Sequence, residues 1–264
     1  MRDPRSILIT GANSGIGKAL AEAYAAPNRH LFLTGRDEAR LSGVCSQCEG
    51  AGASVTKGIF DVTDRQAVAE FVLAADAAQP LDLVIANAGI SGGGGAGAEE
   101  DDQVRRLFSV NVDGVFNTIH PAIAPMMTRG RGQLAIVSSL AGFRGLPGSP
   151  AYSATKAAVR TYGEGLAGLL ADSGVSVSVI CPGFVRTPLT DVNPYKMPFL
   201  MEADKAADII IRGLSRGNGR IAFPWPTYLA VWALQWMPDA LAARLLRRMP
   251  RKPSLYGNQP VNQK

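Results

Sequence analysis

Short and almost wholly apolar runs recur along this chain, each separated from the next by a stretch long enough for one helix. They are 6–10 (SILIT), 30–34 (HLFLT), 54–60 (SVTKGIF), 81–86 (LDLVIA), 133–138 (QLAIVS) and 175–181 (VSVSVIC). Between them lie segments of helical character at 16–26, 38–50, 65–78, 104–127 and 152–170. Strands that are apolar on both faces belong in a parallel sheet covered by helices on each side. The pattern therefore predicts an α/β fold, a doubly wound parallel sheet whose ligands bind beyond the C-terminal ends of its strands.

A chain of 264 residues with 47% hydrophobic content can bury a large core, and no long linker or low-complexity stretch divides it. One domain is expected over 1–224, with 225–264 as a C-terminal helical extension packed on it. The start MRDPRSILIT reaches an apolar strand without room for a secretory apolar region, so a cytoplasmic setting is expected. The longest strongly apolar stretch, 228–237, is about half of the roughly 20 residues that a spanning helix needs.

A formal charge of +5 is mildly basic, but its cations are dispersed until Arg244, Arg247, Arg248, Arg251 and Lys252. No nucleic-acid motif accompanies them, and no nucleic-acid partner is expected. Three cysteines fit a reduced setting better than a disulfide framework. Cys45 and Cys48 form a lone CxxC, and His30 and His120 stand in no ligand motif. A zinc site would need two further ligands, so no metal site is expected.

The first strand end carries Gly11, Asn13, Ser14, Gly15, Ile16 and Gly17 in the run TGANSGIG. Glycines at 11, 15 and 17 let the backbone turn tightly and approach a pyrophosphate, whose charge the next helix N-terminus stabilises. The spacing GxxxGxG differs from the commoner GxGxxG. Further along, Tyr152 and Lys156 in YSATK sit one helical turn apart, thirteen residues after Ser139. A phenol with an ordinary pKa of about 10 is a poor proton donor or acceptor at neutral pH. A lysine on the same helix face is expected to lower that value.

With TGANSGIG at 10–17, Asp61 after the third strand, NAG at 87–89, Asn111, Ser139, YSATK at 152–156, PG at 182–183 and Thr187 in this order, the chain resembles the classical short-chain dehydrogenase/reductase family. The resemblance runs from about 6 to 223 and implies a single-domain Rossmann-type fold. It implies that Tyr152 is the general acid for carbonyl reduction and the general base for alcohol oxidation. Lys156 would also bind the nicotinamide ribose, and Ser139 would hold the substrate oxygen. Asn111 resembles the residue that holds a water in a proton relay; a satisfied packing amide is the other reading. Asn87, Ala88 and Gly89 would let the adenosine side pass close to the backbone, with Asp61 and Val62 touching adenine. Asp61 could instead cap the following helix. Pro182, Gly183, Val185 and Thr187 would line the nicotinamide, Thr187 meeting its carboxamide.

The end of the second strand decides between dinucleotides. An acid there would accept hydrogen bonds from a ribose 2′-hydroxyl, whereas an arginine attracts a 2′-phosphate. By the family's pattern Gly35 occupies the acid position, leaving Arg36 to face the phosphate, so NADP(H) is expected over NAD(H). Asp37 competes by position but is expected to cap the next helix.

The segment 188–201, with Tyr195, Met197, Phe199 and Leu200, is the family's substrate loop and points to an apolar or bulky carbonyl or alcohol partner. The run 92–95 (GGGG) is expected to be mobile at the opposite side of the cleft. After Phe223 the chain departs from the family's usual short ending, with three tryptophans and two expected helices, the second basic and amphipathic. Interface or cleft packing is the favoured reading of 225–252, and peripheral membrane contact the other. The function expected is an NADP(H)-dependent alcohol or carbonyl oxidoreductase. The alternatives are a non-catalytic dinucleotide-binding regulator, or lyase or epimerase chemistry on the same scaffold. Family members assemble as homodimers or homotetramers, which the resemblance extends to this chain.

Overall fold

The computed structural model of the protein describes residues 3–95, 97–247 and 252–255. The basic residues Arg248 and Arg251 lie outside the described residues. The chain begins with strand β1 (Ser6–Thr10), helix α1 (Gly15–Tyr24), β2 (His30–Gly35), α2 (Glu38–Gly50) and β3 (Ser54–Ile59). Next come α3 (Arg65–Ala78), β4 (Leu83–Ala86), α4 (Asp101–Phe108), α5 (Gly114–Thr128) and β5 (Gly132–Val137). The second half adds α6 (Pro150–Leu169), β6 (Val175–Pro182), α7 (Pro188–Asp191), α8 (Ala203–Ser215) and β7 (Arg220–Phe223). Two helices complete the order, α9 (Trp225–Gln235) and α10 (Asp239–Leu246).

The strands form one seven-stranded sheet in the order β3-β2-β1-β4-β5-β6-β7, and every adjacent pair is parallel. Period-two alternation divides each central strand between two cores. Ile7, Ile9, Leu31, Leu33, Leu83 and Ile85 face α1, α2 and α8, against Leu20, Leu41, Val44 and Ile210. Leu8, Phe32, Val84, Leu134 and Ile136 face α3, α5 and α6, against Val72, Ile119 and Val159. Both faces are thus dry, and truncating a fully buried side chain such as Leu83 or Ile85 to alanine costs about 2–5 kcal/mol. Cys45 and Cys48 of α2 belong to the first core. Burial pushes both thiols up, Cys48 to about 11, which suits packing rather than reactivity.

The chain crosses from one side of β1 to the other between β3 and β4, so the sheet's topological switch lies between β1 and β4. Asn87 stitches the two strand ends together there. Its Nδ2 donates to the Thr10 carbonyl at 2.9 Å, while the Thr10 hydroxyl accepts from the Asn87 and Ala88 amides at 3.1 and 3.2 Å. The helices expected across 104–127 are α4 and α5, joined by a π-helical stretch, Ser109–Asp113. No helix among the described residues is long and apolar enough to cross a membrane.

Candidate active site

A cavity of about 700 Å³ opens along the C-terminal ends of β1, β4, β5 and β6, within the usual range for small-molecule sites. At one end lies the turn between β1 and α1. Gly11 has φ +67°, and a Cβ there would stand 2.8 Å from the Ala88 Cα, so glycine is required both by conformation and by the approach of β4. Gly11, Asn13, Ser14, Gly15 and Ile16 line the cavity, together with Asn87, Ala88 and Gly89. Gly17 does not. It is buried under the turn, where a Cβ would collide with the Gly11 carbonyl, so its part is to let α1 pack close rather than to touch a ligand. Ser14 precedes α1 without a side-chain cap bond, leaving the helix N-terminus to an anion.

The residues that distinguish the two dinucleotides differ in their partners. Asp37 caps α2, accepting from the Arg40 amide at 3.0 Å, and is thereby occupied. A Cβ at Gly35 would stand 2.9 Å from Asn13 Oδ1, so a larger side chain could not occupy that position without displacing Asn13. Arg36 is more than half exposed at the cavity edge and pairs at 3.4 Å with Asp61, which also holds Arg106 at 2.6 Å. Two guanidiniums on one carboxylate leave a net positive charge. Burial pushes the Asp61 carboxyl up, but the Thr63 amide, Arg106 and the Thr63 hydroxyl outweigh it and hold the group down at about 2. Asp61 does not cap α3; Asp64 does, accepting from the Ala67 amide. Arg106 carries no sequence signal of this role, because only the folded chain brings α4 to the end of β3.

At the middle of the cavity Ser139, Tyr152 and Lys156 come together with Pro182, Gly183, Val185 and Thr187. Ser139 comes just after β5 and opens a single 3-10 turn, Leu140–Gly142, accepting from the Ala141 amide at 3.1 Å. Tyr152 and Lys156 project from the first turns of α6, with the lysine nitrogen 5.8 Å from the phenol ring centroid. That ammonium donates to the Val137 carbonyl at 3.0 Å, and burial pushes it down to about 8.

The expectation that Lys156 lowers the phenol is not met in this geometry. Burial pushes Tyr152 above its ordinary value, and the counterweight is a hydrogen bond with Ser139. A phenol so held is protonated at neutral pH. Asn111 is fully buried in the π-helical stretch and does not line the cavity. Its Oδ1 accepts from the Ile90 amide at 2.8 Å, and its Nδ2 donates to the Ile90 carbonyl and the Thr155 hydroxyl. The amide is thus satisfied by protein groups while standing, like the Lys156 nitrogen, against Gly89.

Beyond Tyr152 the cavity widens. Of the four large side chains read as a substrate cover, Tyr195 lines it, whereas Met197, Phe199 and Leu200 do not; Phe199 is 60% exposed with φ +55°. Helix α9 supplies Thr227, Val231 and Leu234 as a wall and turns Trp225, Leu229 and Trp232 outward, with Trp236 exposed just after it. The glycine run at 92–95 is not an open edge. Gly92 and Gly93 are buried, and the Gly93 and Gly95 amides donate to the Pro253 and Lys252 carbonyls, each at 2.9 Å. A Cβ at Gly92 would stand 2.8 Å from Leu255, so these glycines serve close approach of a distant segment rather than freedom. Lys252 enters the cavity on that segment. In the sequence it is merely the end of a basic run.

The residues present fit a nicotinamide dinucleotide: a glycine turn leading into a free helix N-terminus, a surplus cation at the second strand end, and a polar trio where the nicotinamide would meet a substrate. The short chain dehydrogenase family model matches residues 5–196. An uncharacterised oxidoreductase of Myxococcus xanthus is 40% identical over 247 residues, 92% of this chain and 98% of the relative. A short-chain dehydrogenase from Sphingobium yanoikuyae solved in complex with NADPH superposes with a TM-score of 0.78 at 27% identity, covering 92% of this chain and 96% of the other. A short chain dehydrogenase/reductase from Burkholderia phymatum in complex with NAD gives 0.79 at 26% identity, covering 96% and 98%. The chain belongs to the short-chain dehydrogenase family and is an oxidoreductase.

Proposed function

We propose that the protein interconverts an alcohol and a ketone or aldehyde, using NADP(H) and Tyr152 as the acid and base. The observation that carries this reading is the meeting, in one cavity, of the glycine turn with Ser139, Tyr152 and Lys156. The bound dinucleotide supplies or accepts the hydride. In the reducing direction Ser139 and Tyr152 hydrogen-bond the carbonyl oxygen, and the protonated phenol gives its proton to that oxygen as negative charge develops on it. Lys156, whose ammonium donates to the Val137 carbonyl, would hold the nicotinamide ribose hydroxyls. In the oxidising direction the deprotonated phenol takes the alcohol proton, with the hydrogen bond from Ser139 stabilising its charge.

The roles of Gly11, Asn13, Ser14, Gly15 and Ile16 at the pyrophosphate, of Val62 and Asn87 to Gly89 along the adenosine, and of Val185 and Thr187 at the nicotinamide belong to the same reading. Gly17 supports the turn from beneath. Preference for NADP(H) over NAD(H) is supported by the occupied Asp37, the restricted Gly35 and the surplus positive charge of Arg36 and Arg106 over Asp61. Steady-state rates with a panel of ketones and aldehydes, followed through NADPH and NADH oxidation, test both statements. A higher kcat/KM with NADPH is expected. A higher value with NADH overturns the cofactor assignment, and no dinucleotide oxidation with any carbonyl overturns the reaction.

Assembly into a homodimer or homotetramer is part of this reading. Support comes from α6, whose outer face forms a shallow groove of small residues, Ala154, Ala157, Ala158 and Gly165, with Leu169 79% exposed. Sedimentation velocity is expected to give a dimer or larger. Within 225–252, helix α9 is read as cleft wall rather than membrane anchor, which Thr227, Val231 and Leu234 support.

A further inference from the structure

Lys252 is a buried cation that the proposed reaction does not use. Its residue is only 9% exposed, its nitrogen lies 5.7 Å from the Tyr152 ring centroid, and its one side-chain hydrogen bond among the described residues is a long one, 3.4 Å to the Leu189 carbonyl. No carboxylate among the described residues pairs with it. An ammonium carries three donors, and removing its charge from water without a counter-ion costs several kcal/mol. Burial accordingly pushes it down to about 8.

The lysine is held there by a backbone built for the purpose. Its amide donates to the Gly148 carbonyl, and its carbonyl and that of Pro253 accept from Gly95 and Gly93. Fully buried Gln103 anchors the residues after Pro253: its Oε1 accepts from the Leu255 amide at 2.7 Å and the Ser254 hydroxyl at 3.0 Å, while its Nε2 donates to the Gly93 carbonyl. The lining around the lysine is polarised in one direction. Lys196 also faces the cavity, as does Arg144, whose charge is paired with Asp239, and the one acidic lining residue among those described, Asp61, is already held by Arg36 and Arg106. The hydroxyls of Ser91 and Thr227, both lining the cavity, are buried without a hydrogen-bond partner.

We propose that Lys252 binds an anionic group on the substrate, so that the enzyme acts on oxo acids or the corresponding hydroxy acids in preference to neutral carbonyl compounds. This rests on the carbonyl and alcohol reading above and narrows its substrate class. The ammonium is desolvated in advance and fixed beside the reacting phenol, so an anion entering the cavity supplies the charge the fold leaves out. The apolar walls Val231 and Leu234 then hold the carbon chain between that group and the carbonyl.

The test compares straight-chain oxo acids, their methyl esters and oxoalkyl phosphates, with the preferred dinucleotide, in the wild type, Lys252→Met and Lys252→Arg. The wild type is expected to favour an acid over its ester, and Lys252→Met to reduce that ratio of kcat/KM roughly 10- to 100-fold through the KM of the acid, the range for a hydrogen bond to a charged group. Lys252→Arg restores most of it. A preference for the phosphate alone names that headgroup as the anion. An unchanged ratio in Lys252→Met overturns the inference while leaving the carbonyl reading intact, as does a loss of NADPH affinity in place of the KM effect. Should no carbonyl be turned over, calorimetric titration of butyrate into the NADPH complex decides: binding lost in Lys252→Met upholds the anion site without the reaction, and absence of binding to the wild type removes it. Removing an unpaired buried charge is not expected to lower Tm, so a folding defect would be visible separately.

Discussion

The glycine-turn end of the cleft and the Lys252 end are made from different kinds of sequence. At the first, each wall is the short run of residues just past a strand: Gly11 to Ile16 after β1, Arg36 after β2, Asp61 and Val62 after β3, Asn87 to Gly89 after β4. Strand register alone brings them together, because parallel strands all end on one edge. At the second end the walls come from α9, the 188–201 segment and a tail that crosses back to the glycines after β4. Contacts there join residues 103 and 255. The first end is a property of the sheet, and the second a property of the loop and C-terminal segments folded over it.

Tyr152 stands where the two ends meet, and its removal should have the largest effect. Tyr152→Phe keeps the ring between Lys156 and Lys252 but removes the proton, and kcat is expected to fall roughly 10²- to 10⁴-fold, the usual contribution of a general acid. Dinucleotide Kd, measured by fluorescence titration, should stay within about twofold. Turnover at near wild-type rates would detach the chemistry from this residue.

The same division separates what is legible in the sequence from what is not. The expected helical segments and all six expected strands appear because their apolar pattern is local, and the motifs at their ends sit on those elements. Asp37 can be assigned as a cap from its position just before a helix, and it is one. Other features escape for identifiable reasons. Helix α8 has apolar residues at Ala206, Ala207, Ile210 and Leu214, a pattern present in the sequence but carrying none of the motifs that mark the other segments. Strand β7 is only four residues long, too short for a periodic signal. The direction of the Tyr152 shift depends on burial and on where the Lys156 nitrogen points, neither of which helix spacing determines. The mobility expected of 92–95 rests on glycine's freedom, whereas the partner that removes it lies about 160 residues away in the chain.

Two substitutions separate the ends of the cleft. Arg36→Ala acts at the glycine-turn end and should lower kcat/KM for NADPH about tenfold or more while leaving NADH within about threefold, since a charge-assisted contact to a phosphate is lost in one case only. An equal fall with both dinucleotides would mean that Arg36 supports the fold instead. Gln103→Ala acts at the other end, breaking the bonds that hold Leu255, Ser254 and Gly93. Buried groups left unpaired cost about 1–3 kcal/mol, a Tm loss of several degrees. The carbonyl substrate's KM should rise several-fold with dinucleotide Kd unmoved. A rise in both would show that the tail supports the whole cleft.

The smallest effect concerns pH, and it tests whether the cluster of Arg36, Asp61 and Arg106 is a structural tie as well as a cofactor feature. The Asp61 carboxyl is held at about 2 in the folded protein against an ordinary value of 3.8, so the folded state binds its proton less readily than the unfolded chain does. Its contribution to stability is therefore fully present above 3.8 and is lost as pH falls through about 2. Its ceiling is about 2 kcal/mol, and screening reduces it because more than a quarter of the side chain is exposed. Urea denaturation at a series of pH values, comparing wild type with Asp61→Asn, should give a stability difference that is constant near neutrality and shrinks below pH 4. A difference that does not change on acidification would show that the carboxylate's charge contributes nothing and that Arg106 holds its place by packing. Adding saturating NADP should shrink the difference at neutral pH as well. A 2′-phosphate drawn to Arg36 and Arg106 competes with Asp61 for the same guanidiniums, whereas a ribose hydroxyl does not.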